Sequence, residues 1–273
     1  MRYAVLGGDM RFAHLAKMLA EEGRMAAGFL QENAGGGQYP LERLKKCDCI
    51  VANWPMKWPL SDAETSEAEI MENIAPGSVM LLCGPQFPRE RRWDLQYVNL
   101  WEDEELLQEN AYLTAEGAVA AVLSKMSGRL KGRRCLVVGF GRIGRALTEI
   151  LINLEADVTV ATGSRAKHGR IGESGAHVLE LVNMKEEIGE AEIIFSTPPK
   201  MMLDRTVLER VRRDALIVDL ASPPYGVDLD AAVKLGLKAW REPGLPGRYC
   251  PLSAARVLCN AIARWEESQN EGN

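Results

Sequence analysis

The segment Arg134–Gly144, RCLVVGFGRIG, constrains this chain more than any other. An apolar run leads without a break into glycines at 139, 141 and 144. Ile143, Ala146, Leu147, Ile150, Leu151 and Leu154 then recur at helical spacing. A buried strand turning directly into a helix uses the first glycine for the tight turn. The second lets backbone approach a pyrophosphate, and the third lets the helix pack close to the strand. The pattern predicts a Rossmann unit with a dinucleotide at the helix N-terminus, contacted by Gly139, Gly141, Arg142, Ile143 and Gly144. The alternative is the same strand–turn–helix with no ligand.

Strand and helix signals alternate on both sides of this motif. Before it, Tyr3–Leu6, 26–30, Cys49–Ala52, 79–83 and 97–100 read as strands, and Phe12, Leu15, Ala16 and Leu19 mark a helix. Gly35–Gly37 and the WPMKWP run at 54–59 read as loops. After it, strands are expected at Asp157–Ala161, His177–Leu181, Ile193–Ser196, Leu216–Asp219 and Leu237–Trp240. Between the series, 114–130 reads as one helix capped by Thr114, with Glu116 in its first turn. The expected architecture is α/β: two open parallel-sheet domains with a cleft between them, the second a Rossmann fold. A first domain over 1–113 and a dinucleotide-binding domain over 114–251 suit a chain of 273 residues. A helix over 252–268, with Ala254, Val257, Leu258, Ala261, Ile262 and Trp265 on one stripe, is expected to pack back on the first domain.

The residues after the second strand of the Rossmann half bear on cofactor choice. Sites for NAD place an acid there to bind the ribose 2′-hydroxyl. Here the strand runs into Thr162, no carboxylate follows until Glu173, and the loop reads GSRAKHGR. Thr162, Ser164 and Arg165 suit a 2′-phosphate, so the residues favour NADP and leave NAD open. Other strand ends add Thr197 and Pro198, Ala221, and the stiff turn Gly244, Leu245, Pro246, expected against the nicotinamide.

The net charge of −5 excludes a general binder of nucleic acid or anionic membrane. No apolar run reaches the roughly 18 residues of a membrane span, and the N-terminus turns polar too early for a signal peptide. Six cysteines without paired CxxC spacing read as buried thiols in a cytoplasmic protein. Cys47 and Cys49 share one face of a strand-like run, half of a metal site at most.

Five further segments are distinctive: GGDMR at 7–11, NAYLTAEGA at 110–118, STPP at 196–199, DLASPPYGVD at 219–228 and EPGLPGRYCPLSAA at 242–255. With the glycine motif, in this order and spacing, the chain closely resembles the dipicolinate synthase A subunits of spore-forming bacteria, from the first strand to the last helix. It departs from them at Ser253 and Ala255, where the family often has Thr and Gly, and its first domain looks shortened. The resemblance implies NADP-linked oxidation of a dihydrodipicolinate-type heterocycle to pyridine-2,6-dicarboxylate, on a branch of lysine biosynthesis. It also implies a partner, the flavoprotein-like B subunit. A homo-oligomer is left open. GFGRIGR also occurs in glyceraldehyde-3-phosphate dehydrogenases, but that likeness is local.

A dicarboxylate needs cationic anchors, and Arg11 and Arg248 flank the two most distinctive loops. Ser222 ends the DLAS block and is the third expected substrate contact. Glu116, with Thr114 beside it, and Asp9 are the carboxylates expected to handle a proton, since none of the three histidines falls near the expected cleft. Two other readings stay open: another two-domain amino- or hydroxy-acid dehydrogenase, and a dinucleotide-binding or redox-sensing subunit without turnover.

Overall fold

A computed structural model of the chain describes residues 1–29, 40–53, 67–84 and 92–271. The two loops read at 35–37 and 54–59, and the end of the strand read to 30, lie outside the described residues. Two compact units emerge: Met1–Asn110 with Pro246–Asn273, and Ala111–Leu245.

The first unit carries a five-stranded sheet of β1 (Arg2–Leu6), β2 (Met25–Phe29), β3 (Cys49–Ala52), β4 (Val79–Leu82) and β5 (Gln96–Asn99). All neighbours are parallel, in the order β2-β1-β3-β4-β5. Alternate residues supply two cores. Tyr3, Val5, Cys49, Val51 and Leu81 face one side, and Ala4, Leu6, Ile50, Ala52, Met80 and Leu82 face the other. That double burial is why these strands read as unbroken apolar runs. The connections diverge between β1 and β3, so the segment after β1 leaves the sheet at its topological switch point.

Helix α1 (Met10–Glu21) starts there, capped by Asp9 and buried through Phe12, Leu15, Ala16, Met18 and Leu19. A short α2 (Glu67–Glu72) follows later in the chain. The last helix packs against α1 through Ala255, Leu258, Cys259, Ala261, Ile262 and Trp265. Polar bonds secure it: Tyr3 donates to Glu266 at 2.6 Å, and Arg24 grips the same carboxylate at 3.1 and 2.5 Å.

The helix expected over 114–130 needs correction. Helix α3 spans Glu104–Leu123, because Asp103, eleven residues before Thr114, accepts the Leu106 N–H at 2.9 Å and caps it. The run EELLQE at 104–109 consists of good helix formers and extends the helix forward. Thr114 is therefore buried in mid-helix and caps nothing, and Glu116 is an exposed mid-helix residue, not a first-turn acid.

The second unit holds β6 (Arg134–Val138), β7 (Asp157–Thr162), β8 (His177–Glu180), β9 (Ile193–Ser196), β10 (Leu216–Asp219) and β11 (Lys238–Arg241). They form one parallel sheet, ordered β11-β10-β9-β6-β7-β8, with its switch point between β6 and β9. Around it lie α4 (Arg142–Asn153), α5 (His168–Glu173), α6 (Met184–Glu187), α7 (Arg205–Leu208) and α8 (Leu229–Lys234). The chain ends with α9 (Leu245–Tyr249) and α10 (Pro251–Glu271), the helix that packs on α1. Both sheets are open parallel layers covered by helices, the architecture read from the sequence. Among the described residues no helix is long and apolar enough to cross a membrane, and no cluster of ligands could hold a metal ion. None of the six cysteines is in a disulfide; four are buried as expected, and Cys47 and Cys250 are half-buried.

Candidate functional site

The carboxyl edge of the second sheet gathers most of the residues singled out above, and each glycine there has its own reason. Gly139 has φ +91°, and a Cβ on it would lie 2.6 Å from Thr197 Oγ1 and 2.9 Å from Pro198 Cγ. A Cβ on Gly144 would overlap the Gly139 carbonyl, 3.0 Å from its carbon, so helix and turn touch through backbone. Gly141 differs, since a Cβ there would meet nothing within 4 Å. It is exposed, stands at the N-cap of the twelve-residue α4, and leaves open room for a group against backbone N–H donors. A dinucleotide pyrophosphate fits that combination of space and partial positive charge.

Neighbouring strand ends lock the turn. Thr197 donates from Oγ1 and N to the Val138 carbonyl at 2.9 and 3.1 Å. Gly139 N donates to Ala161 O at 2.9 Å, drawing in the end of β7. There Thr162 is buried and accepts the Ser164 N–H at 3.2 Å. Arg165 projects into solvent and pairs with Glu180 at 3.2 Å, a carboxylate that stands opposite Thr162 on β8. Lys167, not singled out in the sequence, donates to the Phe140 carbonyl at 3.0 Å. It is the cation of this loop that reaches the glycine turn. Its place three residues beyond Ser164, within a short 3₁₀ turn ending at the start of α5, is the signal that could have found it.

The loop after β10 is wound around a buried carboxylate. Asp219 is fully buried and accepts N–H bonds from Ala221 at 3.1 Å, Gly226 at 3.2 Å and Val227 at 3.3 Å, with the Arg241 guanidinium at 3.4 Å. That guanidinium stacks 3.5 Å from the Tyr225 ring centroid. Tyr225 itself has φ +71°, a left-handed conformation costly for an aromatic residue and held here by the Asp219–Arg241 arrangement. Ala221 is buried at the foot of this loop and Ser222 is exposed beyond it. The Ser196 hydroxyl, buried beneath Gly226, has no hydrogen-bond partner among the described residues.

The 244–246 turn divides in role. Gly244 is exposed at φ +66°, whereas Leu245 is buried in the core of the second unit. A Cβ on Gly117 of α3 would lie 3.0 Å from Leu245 Cβ, so the Leu245 side chain is packing. Glu116 stands next to that contact. Burial, with the Glu149 and Glu116 carboxylates, holds the Tyr112 phenol above its ordinary range.

In the first unit, Gly7–Arg11 follows β1 at the switch point. Arg11 forms a close ion pair with Asp9 at 2.8 Å. Burial pushes the neighbouring Cys83 thiol up to about 12, against the opposing pull of Arg11. Arg248 is exposed on α9, its guanidinium 5.6 Å from the Tyr249 ring. In the second unit His177 pairs with Asp157 at 3.5 Å, at the amino ends of β8 and β7, the edge opposite the glycine turn.

Comparison with known proteins gives these features a context. The family model for Shikimate / quinate 5-dehydrogenase matches residues 121–234, the greater part of the second unit. The A subunit of dipicolinate synthase from Bacillus subtilis is 34% identical over 167 residues, 61% of this chain and 56% of that protein. The match thus spans little more than half the length of that relative. A crystal structure of the dipicolinate synthase A chain from Bacillus subtilis superposes with a TM-score of 0.81 at 25% identity, covering 100% of this chain and 98% of that one. The crystal structure of the A subunit from Bacillus halodurans gives 0.82 at 21% identity, covering 97% of each. The second unit is a dinucleotide-binding dehydrogenase fold.

Proposed function

From the premise that this chain is a relative of the dipicolinate synthase A subunits, we propose that it is an NADP-dependent oxidoreductase. Its substrate is a dihydrodipicolinate-type heterocycle and its product pyridine-2,6-dicarboxylate. One observation carries the reading. The segments that carry the resemblance at 7–11, 139–144, 196–199 and 219–228 follow β1, β6, β9 and β10, and so stand where open α/β sheets bind ligands.

The fit at Gly141 and the α4 N-terminus supports a dinucleotide, and the absence of an acid at the end of β7 supports NADP. Thr162, Ser164 and Lys167 receive the 2′-phosphate, with Arg165 in reserve behind its pair with Glu180. Thr197, Pro198 and Ala221 line the ribose, and the backbone of 244–246 borders the nicotinamide. When bound, the nicotinamide supplies a hydride acceptor. Arg11, Arg248 and Ser222 hold the substrate's carboxylates. The heterocycle loses one hydride and one proton as it becomes aromatic, and Glu116 takes the proton. The chain works with a flavoprotein-like B subunit.

The test is absorbance at the NADPH band, with dihydrodipicolinate generated in situ, for the chain alone and with the B subunit. NADPH formation that depends on the heterocycle supports the reading. Its absence in both arms, from protein shown to bind NADPH, overturns it.

A further inference from the structure

Residues from opposite ends of the sequence meet at the head of α1. Asp9 caps the helix, accepting the Arg11 N–H on Oδ1 at 3.0 Å. The same carboxylate holds the Arg11 guanidinium by one edge: Nε lies 2.8 and 3.1 Å from the two oxygens, and Nη2 lies 2.8 Å from Oδ2. Gly247 of α9 backs onto the pair from the far end of the chain. A Cβ there would lie 2.5 Å from Asp9 Cγ and 2.8 Å from Oδ1, nearer still to Oδ2. The Arg11 side chain is only 15% exposed and Nη1 makes no hydrogen bond among the described residues.

A guanidinium has more than one edge of paired donors. With Nε and Nη2 committed to Asp9, the edge formed by Nη1 and Nη2 still presents two N–H groups to a second carboxylate. Asp9, with both oxygens engaged by one cation, is poorly disposed to accept a ring proton. It also removes the freedom Arg11 would otherwise lose on gripping a ligand. We propose that Asp9 is a positioning residue, which, backed by Gly247, holds Arg11 so that its free edge takes a carboxylate of the dicarboxylate substrate. The proposal rests on the reading of Arg11 as a substrate anchor. It replaces the expected role of Asp9 in proton transfer, and gives Gly247 a reason that no turn geometry requires. The switch point of the first sheet, where the Gly7–Arg11 segment stands, is where such a sheet presents a ligand.

The experiment uses the full chain with NADPH present. Pyridine-2,6-dicarboxylate is titrated by calorimetry against the wild type, Asp9→Asn, Gly247→Ala and Arg11→Ala, and kcat and KM are measured for each. Asparagine keeps the helix cap but loses the charge that holds the guanidinium. Asp9→Asn and Gly247→Ala are each expected to weaken dicarboxylate binding and raise KM about tenfold, with kcat within about threefold of wild type. Unchanged NADPH affinity certifies the fold. Arg11→Ala is expected to lose at least as much, and Asp9→Asn on that background to add little. If Asp9→Asn lowers kcat about 100-fold with dicarboxylate affinity intact, Asp9 handles the proton and the proposal falls alone. If Arg11→Ala leaves dicarboxylate affinity unchanged, the anchor reading falls and the proposal with it.

Discussion

Lys167 donates to the Phe140 carbonyl at 3.0 Å, so the basic loop after β7 is fastened to the glycine turn after β6. An ammonium has three donors, and this bond uses one. The group is held near the end of β7, where a dinucleotide's 2′ position falls in this fold. Arg165 is oriented differently: 84% exposed, it points at Glu180. Exposed pairs of that kind contribute little and break readily. Lys167→Ala is therefore expected to weaken NADPH about tenfold and NADH less than threefold, with a smaller loss for Arg165→Ala. Glu180→Gln releases Arg165 and should tighten NADPH a few-fold. Calorimetric titration of each cofactor decides, and tighter NADH binding by the wild type would remove the NADP preference altogether.

The three glycines of the motif should respond differently. A valine at Gly141 enters open space, so the fold tolerates it while the pyrophosphate loses its place. At Gly144 even an alanine collides with the Gly139 carbonyl, and the loss is one of stability, on the order of 2 kcal/mol. Melting curves and NADPH fluorescence should separate the two. Normal cofactor affinity in a folded Gly141→Val protein would reduce the motif to architecture.

What the sequence disclosed follows from how these sheets are buried. β1, β3, β4, β6, β9 and β10 are covered on both faces, so each reads as an apolar run. The glycine turn was legible because three steric demands fall at fixed spacing. The start of α3 was not, since Glu104–Gln108 looks like a polar connection until Asp103 is seen capping it. Long-range pairings were invisible too. Nothing local announces that Gly247 rests on Asp9, that Lys167 turns to the glycine loop while Arg165 turns away, or that the Leu245 side chain of a ligand-like turn is core.

Asp219 shapes the loop after β10 through three backbone N–H groups and Arg241. The Arg241 side chain keeps 29% exposure, so the cost of removing the carboxylate falls mainly on the buried N–H groups left without an acceptor, about 1–3 kcal/mol. Asp219→Ala should lower stability by about that amount and release Tyr225 from its left-handed conformation. Asp219→Asn keeps a carbonyl acceptor and should cost less. Denaturant unfolding measures both. An unchanged midpoint for the alanine variant would show that the loop holds without its carboxylate.

The docking of α10 should depend on pH in two directions. Burial, then the bond to Glu266, pushes the Tyr3 phenol well above its ordinary value of about 10. A raised value stabilises the fold below pH 10, and that contribution is lost as the pH climbs beyond it. For Glu266, burial pushes up, but the bonds from Arg24 and Tyr3 outweigh it and the net shift is down. That contribution is present above the ordinary carboxylate value of about 4 and lost below it. Thermal melts should show stability declining on both flanks. Tyr3→Phe, costing about 1 kcal/mol at neutral pH, should abolish the alkaline flank and flatten the acid one in part, since it also removes one of the bonds that lower Glu266. A variant that keeps the wild-type alkaline slope would assign that flank elsewhere.

Glu116 is the proposed proton acceptor, and its setting sharpens the test. It lies exposed in the middle of α3, away from the charge of the helix start. Its neighbour Gly117 packs on Leu245 at the foot of the 244–246 turn, while its own carboxylate stands within electrostatic reach of the Tyr112 phenol. An exposed carboxylate is a weak general base, adequate only where the chemistry asks little. Loss of a proton from a ring that becomes aromatic asks little. Glu116→Gln should therefore lower kcat at least ~100-fold, the low end for removal of a general base, while NADPH and dicarboxylate affinities stay within about twofold. Because the side chain is exposed, the substitution should leave the melting temperature unchanged, so lost activity cannot be put down to lost fold. Stopped-flow measurement of the first turnover, with heterocycle and cofactor both saturating, would place the loss in the chemical step and not in product release. Retention of near-normal kcat would return Glu116 to the surface of α3 and leave solvent as the proton's destination.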